Sequence, residues 1–381
     1  MTREEFDTLC RDDVRRTVEE NLGRDPLAVA LDRRLPHAAL VATQVKYLER
    51  ARTKLPSYYA ARCILPPRAF EQASSEACAA HKDLSGDAAL DLTCGLGVDA
   101  LALSRRFGRV VALERDPMLA AVTAYNLRLL GADNVEVVCM TAEEYLAAAT
   151  ERFDWVYADP DRRSDAGRKL IRLEDCSPDI LRLLPAIRRV GARLCLKNSP
   201  LFDAGEALRL FPTARIEAVS LHGECKELLI YDDGTGPLLT ATALGAGSLT
   251  FPPTTAAARL PKPFDPTVYR YLFLPDVALQ KMRLVRRALE GRADVWSDNG
   301  FAFSGRPVEG VPGRTMEIDL IKPFDPKTLR RELHGTGAEL FKREFPLASA
   351  EIYARTGMRP GSERRLAFTR IDGKLWTIKL K

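Results

Sequence analysis

The spacing of apolar residues changes near residue 86. Before that point apolar positions recur at helical intervals, as in the run AALVATQVKYL at 38–48, and prolines separate the segments. This pattern predicts a helical N-terminal region over residues 1–85.

From residue 86 to about 235, short apolar runs alternate with amphipathic segments. The runs AALDL, RVVALE, NVEVVCM, FDWVYADP and ARLCLKN predict five strands, and ARIEAVSLHGECKELLIYD predicts a final pair. The segments between them predict helices: DALALSRRF, PMLAAVTAYNLRLLG, AEEYLAAA and residues 178–189. Strands that alternate with helices of this length predict an α/β fold with a doubly wound parallel sheet.

The composition shifts again after residue 233. The stretch GTGPLLTATALGAGSLTFPPTT is rich in Gly, Thr and Pro, which predicts a loop or linker. The sequence KPFDP then occurs twice, at 262–266 and 322–326. It is either a repeated helix-start device, with Asp as N-cap and Pro in the first turn, or the start of two small α+β modules.

Composition excludes several classes of protein. Hydrophobic residues make up 46% and charged residues 29%, which is typical of a globular protein. The apolar runs are far shorter than the ~20 residues of a membrane span, and the N-terminus MTREEFDTLCRDDVRR lacks the apolar stretch of a secretory signal. The eight cysteines include no CxxC pair and there are four histidines, so we expect reduced thiols, a cytoplasmic protein and no metal site.

Charge is unevenly distributed along the chain. Residues 321–381 contain 14 basic and 7 acidic residues, whereas residues 86–240 contain 19 basic and 24 acidic residues. A basic terminal block predicts an anionic macromolecular partner, or else a solvated surface.

A glycine-rich turn lies between the first predicted strand and its helix. In DLTCGLGVD at 91–99, Gly95 and Gly97 allow a sharp turn and a close approach of the backbone to a ligand. Asp91 precedes the first glycine by four residues, where it can meet a charged amino-acid moiety. No phosphate-binding lysine follows the turn.

Two further signals follow the second and third predicted strands. Glu114 ends RVVALE, 17 residues after Gly97, where a carboxylate can accept both hydroxyls of a ribose. Thr141 and Ala142 follow the third strand, where they would either flank an adenine ring or start a helix.

The fourth signal is Asp159-Pro160-Asp161-Arg162-Arg163 at the end of the fourth predicted strand. Open α/β sheets bind ligands at this edge. A carboxylate followed by proline is a rigid acceptor for an exocyclic amino group, and the two arginines can hold phosphate. The alternative is a charged surface turn.

These motifs, in this order, resemble the class I S-adenosylmethionine-dependent methyltransferases over residues 86–232, and most closely the RNA-modifying members. The segments KLPSY (54–58), EQASSE (71–76) and GECKE (223–227) are similar to a bacterial family with a helical N-terminal region and two C-terminal domains. The resemblance implies a Rossmann-like methyltransferase domain at 86–235, a ferredoxin-like domain at 262–320 and an RNA-binding THUMP-like domain at 321–381. It implies S-adenosyl-L-methionine as cofactor, bound by Asp91, Thr93, Gly95, Gly97, Glu114, Thr141 and Ala142.

The chain departs from the amino-methylating pattern after the first proline. Asp161 and Arg162 stand where these enzymes carry a second proline and an aromatic residue. Tyr58 or Tyr59 would then supply the surface on which a flipped base stacks. Cys176 and Cys195 are expected to be inert structural thiols, not nucleophiles for methylation at a pyrimidine C5.

The sequence therefore predicts methylation of a base amino group in tRNA or rRNA, with Asp159, Pro160 and Asp161 as catalytic residues. The expected RNA contacts are Arg162, Arg163, Tyr58, Lys342, Arg343, Arg364 and Arg365. Two alternatives stay open: a small-molecule methyltransferase, and an RNA-binding protein whose methyltransferase domain is inactive.

Overall fold

The chain forms two compact units. A computed structural model describes residues 1–161, 173–254 and 263–381. The first unit comprises residues 1–215 and 229–236, and the second comprises residues 216–228 and 237–381. Arg162 and Arg163 lie outside the described residues.

The first 85 residues are helical, as predicted. The longest helix, at 38–54, buries Val41, Val45 and Leu48 along one face, which places them in a common core with the other helices. The helices are α1 (Arg3–Leu9), α2 (Asp12–Glu20), α3 (Pro26–Ala30), α4 (Ala38–Lys54), α5 (Pro56–Ala60), α6 (Pro67–Gln72) and α7 (Glu76–His81).

A parallel sheet follows in the first unit, and the predicted alternation of strands and helices is confirmed. The strands are β1 (Gly86–Asp91), β2 (Phe107–Leu113), β3 (Val135–Val138), β4 (Phe153–Ala158) and β5 (Gly191–Asn198), in the order β3-β2-β1-β4-β5. Each neighbouring pair is parallel. The helices are α8 (Val98–Ser104), α9 (Pro117–Leu129), α10 (Ala142–Ala148), α11 (Ile180–Val190) and α12 (Ala204–Leu210), with a 3₁₀ turn at Leu173–Asp175.

The sheet brings the ends of its strands together at one edge. Leu90 of β1 is paired with Val111 of β2 and with Val156 of β4, and all three are buried. Because the strands are parallel, the carboxyl ends of β1, β2, β4 and β5 and the residues just after them lie along the same edge. These are the glycine turn, Glu114, Asp159 and the end of the strand ARLCLKN.

The expectation of a loop or linker after residue 233 is wrong. The predicted final pair of strands is present as β6 (Arg215–Leu221) and β7 (Glu224–Asp232), and it is followed by a hairpin of β8 (Leu238–Ala243) and β9 (Gly247–Phe251). Threonine is β-branched and suits a strand, and the Thr240 and Thr250 hydroxyls bond across the pair at 3.0 Å. The glycines serve the turn, where Gly245 has a φ of +82°.

The second unit contains an eight-stranded sheet with short helices, which is the expected α+β architecture. Its strands are β10 (Tyr271–Pro275), β11 (Asp294–Val295), β12 (Ala302–Ser304), β13 (Gly313–Pro323), β14 (Gly337–Lys342), β15 (Arg359–Pro360), β16 (Arg364–Ile371) and β17 (Lys374–Leu380), in the order β11-β12-β10-β13-β17-β16-β14-β15. The helices are α13 (Val277–Lys281), α14 (Val285–Ala288), α15 (Pro326–Leu333) and α16 (Ser349–Thr356).

One strand crosses the predicted boundary between the two C-terminal domains. The first half of β13 pairs with β10 and its second half pairs with β17. A single sheet therefore includes strands from both sides of residue 320, and the division into 262–320 and 321–381 stays a prediction.

The two KPFDP copies differ in structure. In the second, the Asp325 carboxylate accepts the Lys327 N–H at 3.0 Å and Pro326 begins α15. In the first, Asp265 accepts the Thr267 N–H at 2.9 Å, but the chain turns and continues into β10. Lys262 lies outside the described residues. The repeat therefore acts as a helix start in its second copy alone.

Within the described ranges, no helix is long and apolar enough to cross a membrane. The same residues contain no group of three or more His, Cys, Asp or Glu side chains that could hold a metal ion.

Candidate active site

The glycine turn leads from β1 into α8. Gly95 and Gly97 both adopt left-handed backbone conformations, with φ of +55° and +84°. A Cβ atom at Gly95 would have the Thr93 carbonyl oxygen as its nearest neighbour, at 4.0 Å, whereas one at Gly97 would lie 2.8 Å from Cγ2 of Thr123. Gly95 thus keeps open space beside the turn, and Gly97 allows the turn to pack against α9.

Two hydroxyl groups hold the carbonyls of this turn. Thr123 donates to the carbonyl of Gly95 at 2.7 Å, and Tyr58 donates to the carbonyl of Leu96 at 3.0 Å. Tyr58 is fully buried, so its ring presents no face to a base, and the predicted stacking role of Tyr58 is wrong. Tyr59 is half-buried, and the guanidinium of Arg62 lies 4.5 Å from its ring centroid.

Asp91 is a fully buried carboxylate at the start of the turn. Its Oδ1 accepts the Thr93 N–H at 2.9 Å, and its Oδ2 has no hydrogen-bond partner among the described residues. Burial raises the pKa of Asp91 to about 8 against the opposing effect of the Thr93 N–H. A buried carboxyl oxygen without a hydrogen-bond partner fits a cationic ligand group such as the ammonium of S-adenosylmethionine, whose approach would favour the ionised form.

Glu114 contacts the same turn from the end of β2. Its Oε2 accepts the Gly95 N–H at 3.0 Å and its Oε1 accepts the Asp116 N–H at 2.8 Å. Burial raises the pKa of Glu114, and these two N–H donors act against the rise. The structure thus brings Glu114 to the glycine turn, and its contact with a ribose stays a prediction.

Thr141 and Ala142 start helix α10 at the end of β3. The Thr141 hydroxyl accepts the Glu144 N–H at 3.2 Å, and the Glu144 carboxylate accepts the Thr141 N–H at 3.1 Å. This reciprocal capping box agrees with the interpretation of Thr141 and Ala142 as a helix start. Their contact with an adenine ring stays a prediction.

Asp159 follows β4 and is joined to two other parts of the site. Its backbone N–H donates to the Thr93 hydroxyl at 2.6 Å, and its carboxylate forms an ion pair with the ammonium of Lys197. Pro160 is buried, and Asp161 exchanges two backbone hydrogen bonds with Ser177, at 2.8 and 3.0 Å. The Asp159-Pro160-Asp161 segment is therefore bonded to β1's turn and β5 through Asp159, and to Ser177 through Asp161.

Lys197 is a site residue that the sequence interpretation missed. It belongs to β5 and only 7% of its surface is exposed. The available signal was a lysine directly after the apolar run LCL at 194–196 of the strand ARLCLKN. Because Ala158 is paired with Leu196, Asp159 and Lys197 occupy matching positions at the ends of neighbouring strands.

A second buried ion pair was missed as well. Lys82 lies 2.8 Å from Asp99 on α8, and the Ser74 hydroxyl donates to the same carboxylate at 2.7 Å. Burial raises the pKa of Asp99, but the charges of Lys82 and Lys197 outweigh it, and the pKa lies below its usual value. Asp99 is therefore ionised and is influenced by both buried lysines.

The basic residues predicted in the second unit do not form one patch. Lys342 donates to the Leu347 carbonyl at 2.9 Å, and partial burial lowers the pKa of Arg343. Arg364 and Arg365 are exposed. Strands β14 and β16 are parallel, with Ala338 opposite Arg364 and Lys342 opposite Phe368, so the two pairs lie toward opposite ends of these strands. Of the four predicted residues, Arg364 and Arg365 form the exposed pair.

Two family profiles match parts of the chain. The profile described as THUMP domain-like matches residues 313–380. The profile described as Conserved hypothetical protein 95 matches residues 72–173, which include the glycine turn, Glu114 and Asp159.

One solved structure matches nearly the whole chain. It is described as a "putative methyltransferase" from Porphyromonas gingivalis W83, with a TM-score of 0.80 and 25% sequence identity over 97% of each chain. Among curated proteins, a tRNA/tmRNA (uracil-C(5))-methyltransferase of Photorhabdus laumondii is 43% identical over 67 residues, and the Salmonella arizonae protein of the same name matches equally well. Each segment covers 18% of this chain and 18% of the relative. These matches confirm the methyltransferase-like fold with a THUMP-like C-terminal region.

Proposed function

We propose that this chain, a methyltransferase-fold protein with a THUMP-like C-terminal region, transfers the methyl group of S-adenosylmethionine to an amino group of an RNA base. The observation that carries the proposal is the position of the Asp159 carboxylate. Asp159 stands at the edge where open α/β sheets bind ligands. Its backbone N–H is bonded to Thr93 in the glycine turn, and its carboxylate is paired with Lys197.

The residues around the glycine turn would hold the cofactor. Asp91 offers an unpaired carboxylate oxygen to its ammonium, Gly95 leaves room for its approach, and Glu114 would accept its ribose hydroxyls. When bound, S-adenosylmethionine supplies an electrophilic methyl group.

Asp159 would orient the target amine. Its carboxylate accepts an N–H of the amino group and so holds the nitrogen toward the cofactor site, while the backbone contacts of Asp161 keep the loop in place. The contribution of the protein is positioning and electrostatics, without a covalent intermediate.

RNA as the substrate is supported by the second unit. The THUMP domain-like profile covers 313–380, and residues 321–381 contain twice as many basic as acidic residues. The curated relatives are named as enzymes that act on tRNA and tmRNA. A basic surface can bind the phosphates of such a substrate.

The names of these relatives also point to a second target, the C5 atom of uracil. Methylation at C5 requires a nucleophilic thiolate. Cys176 and Cys195, the two cysteines considered for that role, are both buried, a setting that disfavours a thiolate. The burial of these two thiols supports the amino group as the proposed target.

A methyl-transfer assay tests the proposal. Purified protein is incubated with tritiated-methyl S-adenosylmethionine and total RNA from a strain that lacks the gene. We expect labelled RNA with the wild type and a loss of rate of about 100-fold or more with Asp159→Ala. Asp232→Ala, which removes a carboxylate paired with Arg188 at 3.0 Å, is the matched control and should keep the rate. Unlabelled RNA with the wild type would overturn the proposal, and label on small molecules alone would favour the small-molecule alternative.

A further inference from the structure

Lys197 places a positive charge where a strand would ordinarily bury an apolar side chain. It lies at the end of β5, its residue is 7% exposed, and its ammonium pairs with Oδ2 of Asp159. Taking an ammonium and a carboxylate out of water costs free energy, and an apolar pair of similar volume is often as stable. Fold stability alone therefore does not account for a lysine at this position.

The surroundings of Lys197 favour a fixed, charged side chain. Asp159 lies beside it on the neighbouring strand, and the Lys197 charge also lowers the pKa of Asp99, which lies 2.8 Å from Lys82. The two lysines and the two aspartates thus balance each other's charge at the edge of the sheet.

The ion pair with Lys197 acts on the side chain of Asp159 and not on its backbone. Its backbone is already fixed by the bond from its N–H to Thr93 and by the buried Pro160. The Lys197 ammonium binds one of the two carboxylate oxygens and so restricts rotation of the Asp159 side chain.

We propose that Lys197 is a positioning residue for methyl transfer: its ammonium fixes the Asp159 carboxylate in the orientation that accepts the N–H of the target amine. This inference rests on the proposed function. It assigns Lys197 no direct contact with the methyl group, so its loss should lower kcat and leave the binding of S-adenosylmethionine intact.

The test uses the full chain and the labelled-RNA assay. Lys197→Met keeps the length of the side chain and removes its charge, and we expect kcat to fall at least ~30-fold while KM for S-adenosylmethionine stays within about 3-fold. Lys197→Arg restores a charged donor and should recover part of the lost rate. Lys226→Met is the matched control, because Lys226 is paired with the exposed Glu224 at 2.5 Å, and it should retain the wild-type rate.

Chemical rescue separates positioning from simple packing. In Lys197→Ala, added n-propylammonium should restore kcat several-fold and n-propanol of similar size should not. Equal rescue by both would show that the side chain only fills space, and it would overturn the inference. If Lys197→Met fails to fold, Lys197→Gln takes its place, with a smaller expected loss of about 10-fold.

The two proposals fail in different ways. A wild-type rate in a folded Lys197→Met variant overturns the positioning role while the proposed function stands. A wild-type protein that labels no RNA overturns both.

Discussion

The hydroxyl oxygen of Thr93 accepts the backbone N–H of Asp159 at 2.6 Å. Thr93 also donates its own N–H to Asp91 at 2.9 Å. Thr93 therefore connects the buried carboxyl group at the end of β1 with the backbone of Asp159 after β4. Under the proposed function, Thr93 would help to set the spacing between the cofactor and the target amine.

Replacing Thr93 with Val should weaken that connection. The variant keeps the shape of the side chain but leaves the Asp159 N–H without its acceptor, which we expect to cost about 1–3 kcal/mol of unfolding free energy. Urea unfolding and the methyl-transfer rate measure the effect, and both should decrease. Thr93→Ser keeps the hydroxyl and is the control. A Thr93→Val variant as stable and active as Thr93→Ser would show that the bond from the Asp159 N–H to this hydroxyl does not matter.

The two glycines of the turn should respond differently to alanine. At Gly95 a methyl group enters open space, so Gly95→Ala should lower the unfolding free energy only by the ~1–2 kcal/mol needed to hold an alanine in the left-handed conformation. The same methyl group should obstruct the cofactor. At Gly97 it also meets Thr123, which is buried and bonded to the Gly95 carbonyl, so Gly97→Ala should lose more stability. Thermal unfolding and calorimetry with S-adenosylmethionine separate the two effects. Unchanged affinity in Gly95→Ala would show that the cofactor does not approach this turn.

Asp91 should make stability depend on pH. Burial raises its pKa to about 8, above the value of about 3.9 in an unfolded chain. Between these two values the folded protein retains a proton that the unfolded chain has lost. The contribution of Asp91 to the unfolding free energy is therefore present in full below about pH 4 and is lost as the pH rises through 8. The asparagine of Asp91→Asn cannot ionise, so the unfolding free energy of the variant should fall less steeply than that of the wild type between pH 5 and 8. The difference in slope should reach up to ~1.4 kcal/mol per pH unit.

Urea unfolding at pH 5 and pH 8 measures this difference, with the exposed Asp87→Asn as control. Parallel pH profiles for wild type and Asp91→Asn would contradict the raised pKa. The variant should also bind S-adenosylmethionine more weakly, because the Asp91 carboxyl can ionise when the ammonium approaches and an amide cannot.

The sequence was sufficient for the features that depend on neighbours in the chain. The strand before DLTCGLGVD, the left-handed glycines and the helix after them follow from local spacing, as does Glu114 at the end of β2. The hairpin at 238–251 was missed because its glycines and threonines resemble a linker, and cross-strand pairing decided its structure.

The rest of the site depends on contacts between distant parts of the chain. Lys197 and Asp159 are 38 positions apart, and Lys82 and Asp99 are 17 apart. No local pattern pairs such residues, and a lysine is ordinarily expected on the surface. Tyr58 shows the converse error: it was expected to supply a base-stacking surface because the motif after β4 lacks an aromatic residue, whereas the core encloses it.

The basic residues of the second unit give a graded prediction for RNA binding. Arg364 and Arg365 are exposed, so both can contact RNA phosphates. Replacing both with Gln should make the slope of log binding constant against log salt concentration shallower by about 0.7 for each lost phosphate contact with single-stranded RNA. Lys342→Gln should mainly reduce stability, because its ammonium bonds to the Leu347 carbonyl. Binding curves at three salt concentrations measure the slopes. Equal slopes for wild type and the double variant would exclude both arginines from the RNA surface.

The most direct test of methylation at an RNA base amino group is mass spectrometry of nucleosides from cells that lack the gene. We predict that one base with a methylated amino group disappears from tRNA or rRNA, returns with the wild-type gene and does not return with Asp159→Ala. An unchanged set of nucleosides, or the loss of 5-methyluridine instead, would contradict it.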